Sequence, residues 1–387
     1  MTKPHQVSRR RTIGAIVALG AALAATGVVS SGASATGADE FTVAAVLPSA
    51  ANDLAFSQSL VDSLDRLKEA GVIDDYVISE NMFVVEDAAT AIRSYAEEGH
   101  DLVIAHGSQY GGSLQEIAPD FPETAFAWGT AADTFGLENV SGYTASADQG
   151  GYVMGAMGAM LAGDGSIGII GPIEVGDGKL YVDGFEAGAL SVSADIGVGI
   201  NYIESFSDTA LAAEAATSFI DGGATVLSGT AQMTVGAIGV ANERGVLWFG
   251  TNSNQAELAP DVVVASQVYH WEVVLEELVN GIKDGDLGGD TYDINLANGG
   301  EVIEFNDEYD LPDDVRAAGD ELIAQLSSGD LVTGVGADAA ESTEPAGTDA
   351  ADTTAATRPR QQRTRRRPEL WRRRRRPAGR RRSRCSR

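Results

Sequence analysis

The chain has 387 residues, of which 56 are acidic, 27 basic and one a cysteine, for a formal charge of −29. The single cysteine excludes an internal disulfide framework. The charge is unevenly spread: 16 arginines lie from Arg358 onward, while residues 36–357 hold seven basic and 55 acidic side chains, about −48, which argues against nucleic acid as a partner of the body. Such a body repels itself at low salt. Molar salt shortens the Debye length to ~3 Å and removes most of that penalty, so the composition points to a salt-adapted or high-GC organism.

The first 35 residues combine a basic start, a short apolar run interrupted by glycine, and Ala33-Ser34-Ala35. This pattern predicts a secretory signal peptide cleaved after Ala35, and "SRRRTI" is similar to a twin-arginine signal. With no lipobox cysteine near the cleavage site, an exported, periplasmic or extracellular protein associated with the cell envelope is expected. "FTVAAVLPSA" (41–50) then reads as a buried strand. "NDLAFSQS" (52–59) places Phe56 among small polar residues just before an amphipathic helix over 57–70. A large ring at that junction either plugs a core or waits for a ligand.

Further apolar runs predict strands at 101–106, 124–129, 165–171, 199–205, 224–229, 245–250 and 261–267. Helical patterns fall at 88–98, 150–162, 181–193, 208–221, 233–243, 270–283 and 313–327. Strands alternating with helices imply parallel sheets of βαβ units. "DAATAIRSYAEEGHDLVIAHG" and "DTALAAEAATSFIDGGATVLSGT" share one plan of helix, glycine turn and strand, so two doubly wound lobes are expected. Their ligands bind beyond the carboxyl ends of the strands. Residues 337–357 read as an acidic disordered linker. Residues 358–387 read as an Arg-rich disordered tail, against a competing reading as a basic arm for nucleic acid or anionic lipid.

No phosphate loop or nucleophile elbow occurs, and His5, His100, His106 and His270 show no metal-ligand spacing with Cys385. "DGDLGGDTYDIN" (284–295) departs from a calcium loop and reads as a helix-to-strand turn. "GDGK" (176–179) reads as a short glycine-rich turn. No catalytic residue, metal or cofactor is expected. What remains are aromatic and small polar residues at strand ends: Phe56; Trp128 with Gly129 and Thr130; Phe206 with Ser207 and Asp208; Thr251 and Asn252; Tyr269, His270 and Trp271. Aromatic faces with a few directed polar groups suit a ringed small molecule.

These segments, in order and spacing from about residue 41 to 336, resemble the basic membrane protein family of purine-nucleoside-binding receptors of ABC importers. "NDLAFSQS" is similar to that family's D-x-S-F-N-Q segment and "GTNSNQAELAPDVVVASQV" to its G-x-D-S-D-Q block, while "YVDGFEAGA" and "NYIESFSDTALAAEAATSFIDGGATVL" are the most specific matches. The resemblance implies an α/β type I periplasmic binding protein: two doubly wound, Rossmann-like lobes joined by a hinge of three crossing strands. Lobe 1 is expected over 39–147 plus 268–290, and lobe 2 over 148–267 plus 291–336. It implies that Phe56 and Phe206 sandwich a base, that Asp53 holds a polar edge or closes its loop, and that Asn252 stands where the family's ribose-binding aspartate lies. Ser57 stands at the family's asparagine, and Tyr269 at its usual lysine. The implied partners are a nucleoside or purine-like solute and an ABC permease, with the receptor a monomer. The alternative is a receptor of the same fold that signals to a membrane kinase or regulator.

Overall fold

The computed structural model describes residues 40–336. The signal peptide expected over 1–35, the linker over 337–357 and the tail over 358–387 lie outside the described residues.

The first sheet is built from β1 (Thr42–Val46), β2 (Asp75–Ser79), β3 (Leu102–Ala105), β4 (Ala125–Gly129) and β5 (Val140–Ala145), with α1 (Phe56–Glu69), α2 (Val85–Glu98) and α3 (Gly111–Ile117) between them. The apolar run of β3 is buried at every position, as a strand covered on both faces requires. The face of α1 that carries Leu60, Leu64 and Leu67 is buried at helical spacing. The second sheet follows with β6 (Ser166–Gly171), β7 (Val198–Tyr202), β8 (Ala224–Gly229), β9 (Leu247–Asn252) and β10 (Val263–Tyr269). Its helices are α4 (Ala147–Leu161), α5 (Gly176–Val192), α6 (Thr209–Asp221) and α7 (Thr234–Arg244). The chain ends with α8 (Glu272–Asp284), β11 (Thr291–Ile294), β12 (Glu301–Phe305) and α9 (Asp313–Ser328).

The strand orders are β11-β5-β4-β3-β1-β2 and β12-β10-β9-β8-β6-β7. They are the same doubly wound order, with one exchanged edge strand each. The two similar sequence segments fold as α2-β3 and α6-β8, which occupy equivalent places. Each turns from helix to strand through a left-handed glycine, Gly99 (φ 84°) and Gly223 (φ 100°). The chain passes between lobes at Ser146, at His270–Trp271 and at Asn295–Gly300. These crossings are tied by Ser146 N donating to Ile294 O (2.9 Å) and His270 N donating to Gly300 O (2.8 Å).

Two boundaries differ from expectation. Thr291–Ile294, expected in lobe 2, pairs in parallel with β5 in the first sheet. Val268 and Tyr269, expected in lobe 1, end β10 and pair with β9 or β12 in the second. The chain crosses after Tyr269 and again after Ile294, and the short edge strand "TYDI" has no apolar run to announce it.

Helices α4 and α5 meet backbone to backbone. A Cβ on Gly155 would lie 2.0 Å from Phe185 O, and one on Gly188 would lie 2.0 Å from Tyr152 O. These glycines set α5 against the helix that leaves the Ser146 crossing. The "GDGK" turn is the first turn of α5, and the close packing fixes its position beside the hinge.

Candidate functional site: the cleft between the lobes

The loops beyond the carboxyl ends of β1, β3 and β4 in one lobe, and of β6, β8 and β9 in the other, face each other across a cleft. Pro48, Gln109 and Thr130 line one side, and Pro172, Gln232 and Asn252 the other. Both sheets therefore present the switch-point edge of their doubly wound order. Asp177 is the single charged side chain among the lining residues, and none of them is Lys, Arg or His. The rims already touch: Gln232 Nε2 donates to Ser49 Oγ (3.2 Å), Ser253 Oγ to Ala55 O (2.8 Å) and Gln255 Nε2 to Leu54 O (3.3 Å).

Phe56 begins α1, half-buried, and lines the cleft. One face of its ring is stacked on His106, with centroids 3.9 Å apart and planes 7° from parallel. His106 is fully buried. Its Nε2 meets Phe56 O at 3.2 Å and its Nδ1 meets the Tyr143 hydroxyl at 2.7 Å. A carbonyl can only accept, so Nε2 carries the proton and Nδ1 accepts from Tyr143. Burial pushes the imidazole down to about 3 and the Tyr143 phenol well above its ordinary value, so both stay neutral. Trp271 closes the stack edge-on beneath His106 (5.7 Å) and Tyr143 (5.2 Å), and its Nε1 donates to Ser59 Oγ (2.9 Å). No side chain fits at Gly129, where a Cβ would lie 2.7 Å from the Tyr143 hydroxyl oxygen and 2.9 Å from His106 Nδ1.

Phe206 lies across the cleft, between β7 and α6. Its carbonyl accepts from Met233 N (2.9 Å), and Asp208 caps α6 through Ala210 N and Leu211 N (both 3.0 Å). No ring stacks on Phe206 among the described residues. Asn252 ends β9 at φ 67°, is 4% exposed, and has a buried Oδ1 that meets no donor. Thr130 (φ 58°) and Ala231 (φ 76°) also line the cleft in the left-handed region. Such backbone costs ~1–3 kcal/mol per residue and gathers where function holds it.

Of the nine residues expected at the site, Phe56, Phe206, Asn252 and Tyr269 line the cleft. The other five stand behind it. Asp53 is a loop staple: its carboxylate accepts from Ser49 Oγ (2.6 Å) and from the backbone N–H groups of Ala55, Ser57 and Gln58. Ser57 is buried on Ser49. Trp128 stacks on Phe135 (4.9 Å) and donates from Nε1 to Gly107 O (3.2 Å). Trp271 is the base of the aromatic stack. His270 bonds Glu272 (2.8 Å), whose carboxyl also takes Arg66 through Nε and Nη2. Burial opposes ionisation of Glu272, but the hydrogen bonds from His270 and Arg66 win and hold it at about 2.

The sequence reading missed Gln109, Gln232, Asp177 and the role of His106. Gln109 and Gln232 follow strand ends, and that placement was the available signal. Asp177 lay inside a glycine-rich turn that looked like a bare connection.

Comparison with known proteins agrees with this fold. A solute-binding protein of an ABC transporter system from Conexibacter woesei has the same fold, with a TM-score of 0.63, 25% identity, and coverage of 75% of this chain and 97% of that one. The fold is thus the type I periplasmic binding protein. A purine-binding protein of Brucella abortus is 28% identical over 252 residues, 65% of this chain and 71% of the relative. A nucleoside-binding protein of an ABC transporter in Lactococcus lactis is 25% identical over 304 residues, 70% of this chain and 84% of the relative. The family model for PnrA-like ABC transporter substrate-binding proteins matches residues 41–321, and the chain belongs to that family.

Proposed function

We propose that this protein is the extracytoplasmic receptor of an ABC importer and binds a purine nucleoside, or a closely similar ring compound, between its lobes. The observation that carries the reading is the Phe56 ring: one face is already packed on His106, and the ring lines the cleft that Phe206 lines from the other lobe. A flat ring inserted there completes both packings, and base–aromatic stacking is worth ~1–3 kcal/mol per base in nucleic-acid binders. Relatives named for purine and nucleoside binding support the choice of ring.

The lining also limits the ligand. With one carboxylate and no basic side chain facing the cleft, and about −48 on the body, a phosphorylated ligand is repelled and left unpaired. The ligand is therefore a nucleoside rather than a nucleotide. The protein performs no chemistry. Ligand contacts to both walls favour the closed arrangement, which the permease recognises.

Calorimetric titration of the exported chain in molar salt with adenosine, guanosine, AMP and glucose tests this. Binding of the nucleosides without AMP or glucose is expected. Binding of glucose alone would leave the fold and remove the ligand assignment.

A further inference from the structure

Asp177 lies in the first turn of α5 and lines the cleft. Its Oδ1 accepts from Thr144 Oγ1 of the opposite lobe at 2.6 Å. Its Oδ2 is shielded from water, and no donor reaches it at hydrogen-bond distance and angle, although the N–H groups of Ala145 and of Asp177 itself are directed at the carboxyl. A buried carboxylate oxygen without a donor is costly. Burial, helped by nearby Asp293, pushes the group up to about 7. The other ionisable groups around it offer no relief: Asp293 of β11 and Glu301 of β12 are acids, while Tyr143 of β5 and Tyr269 of β10 are phenols held neutral by burial. The one cation of the same turn, Lys179, is engaged by Asp183 (2.7 Å) and Glu174 (3.6 Å).

We propose that Asp177 is a specificity-determining residue of the cleft, whose Oδ2 accepts a hydrogen bond from an uncharged O–H or N–H of the ligand. This rests on the nucleoside reading and names which nucleosides fit: those that keep a donor at that point. Thr144 holds the carboxylate by one oxygen and leaves the other, buried as it is, without a hydrogen-bond partner. A donor favours the ionised carboxylate, so affinity is highest above about pH 7 and falls as pH drops below it, by up to ~tenfold per unit.

The test is titration of wild-type, Asp177→Asn and Thr144→Val chains with adenosine, its 2′-, 3′- and 5′-deoxy analogues, and purine riboside, which lacks the amino group. In the wild type, at least one analogue should bind about tenfold more weakly than adenosine, and its identity tells whether the donor is a sugar O–H or the ring amine. That gap should close in Asp177→Asn, whereas Thr144→Val should weaken all probes alike. Wild-type affinity for adenosine should fall about tenfold or more between pH 8.5 and 5.5, and the Asp177→Asn affinity should stay flat. Equal affinities for the whole series, or a gap that persists in Asp177→Asn, would overturn the assignment.

If the wild type binds none of these probes, the nucleoside reading fails. Asp177 is then judged on the ligand-free protein. A carboxylate kept for a ligand makes Asp177→Asn melt higher than wild type at pH 8, with the difference vanishing near pH 4. A lower melting temperature at pH 8 would make Asp177 a purely structural partner of Thr144.

Discussion

The two walls of the cleft are finished to different degrees. On the first-lobe wall every polar atom of the stack has a partner: Phe56 rests on His106, His106 is bonded at both nitrogens, and Trp271 closes the stack through Ser59. On the second-lobe wall, Asn252 Oδ1 and Asp177 Oδ2 are buried without a hydrogen-bond partner, and among the described residues no ring stacks on Phe206. The first wall is a platform whose cost is met in folding. The second is left incomplete, and in the proposed function the ligand supplies what it lacks. On the proposed function, affinity from stacking and selectivity from directed acceptors fall to different lobes, and a ligand that satisfies both holds the lobes together.

Substitutions should separate the walls. The largest effect is expected at His106→Leu, which strands the Tyr143 hydroxyl and takes one of two donors from the Phe56 carbonyl, leaving Ser59 Oγ on it. Each unpaired buried group costs ~1–3 kcal/mol, so thermal unfolding should drop by several degrees and adenosine binding should weaken as well. Phe206→Ala comes next: it should lose about 1–3 kcal/mol of binding by calorimetry with an unchanged melting temperature. A comparable stability loss there would erase the contrast between the walls. Asn252→Gly should relax the φ 67° backbone and match or exceed the wild type in stability, while affinity falls by ~0.5–1.5 kcal/mol, the net worth of an ordinary hydrogen bond.

The smallest effect is expected at the hinge. Glu301 is buried, accepts from Gly150 N (2.6 Å), and is pushed well above the usual carboxylate range by desolvation and by neighbouring acids. A raised folded-state pKa means that its stability contribution is complete below the ordinary carboxylate range and is lost as pH rises. Glu301→Gln mimics the protonated acid, so it should change stability by under ~1 kcal/mol at pH 5 and be the more stable form in alkali. Melting curves across pH for the two chains check this.

Much of the fold was legible because its signals are local. Continuous apolar runs announced β3, β6 and β10, and the repeated helix–glycine–strand segments announced two equivalent lobes. The strands that escaped are of another kind. β2, β11 and β12 lie at or near sheet edges and are partly exposed, and β5, "VSGYTA", is buried with few apolar side chains. At the site, Phe56 and Phe206 were readable as rings in polar loops. The support beneath them was not, because His106 meets Phe56 across fifty residues and Trp271 meets Ser59 across 212. Asp53 shows the converse: a carboxylate beside the site is spent on its own loop, and only its four hydrogen bonds reveal this.

The most direct measurement is a crystal structure of the chain grown with adenosine. The account predicts the purine against the Phe56 face opposite His106, with Phe206 over its other side and donors on Asp177 Oδ2 and Asn252 Oδ1. A structure with Phe206 packed directly on Phe56 and the nucleoside elsewhere, or with both acceptors still unpaired, would contradict it.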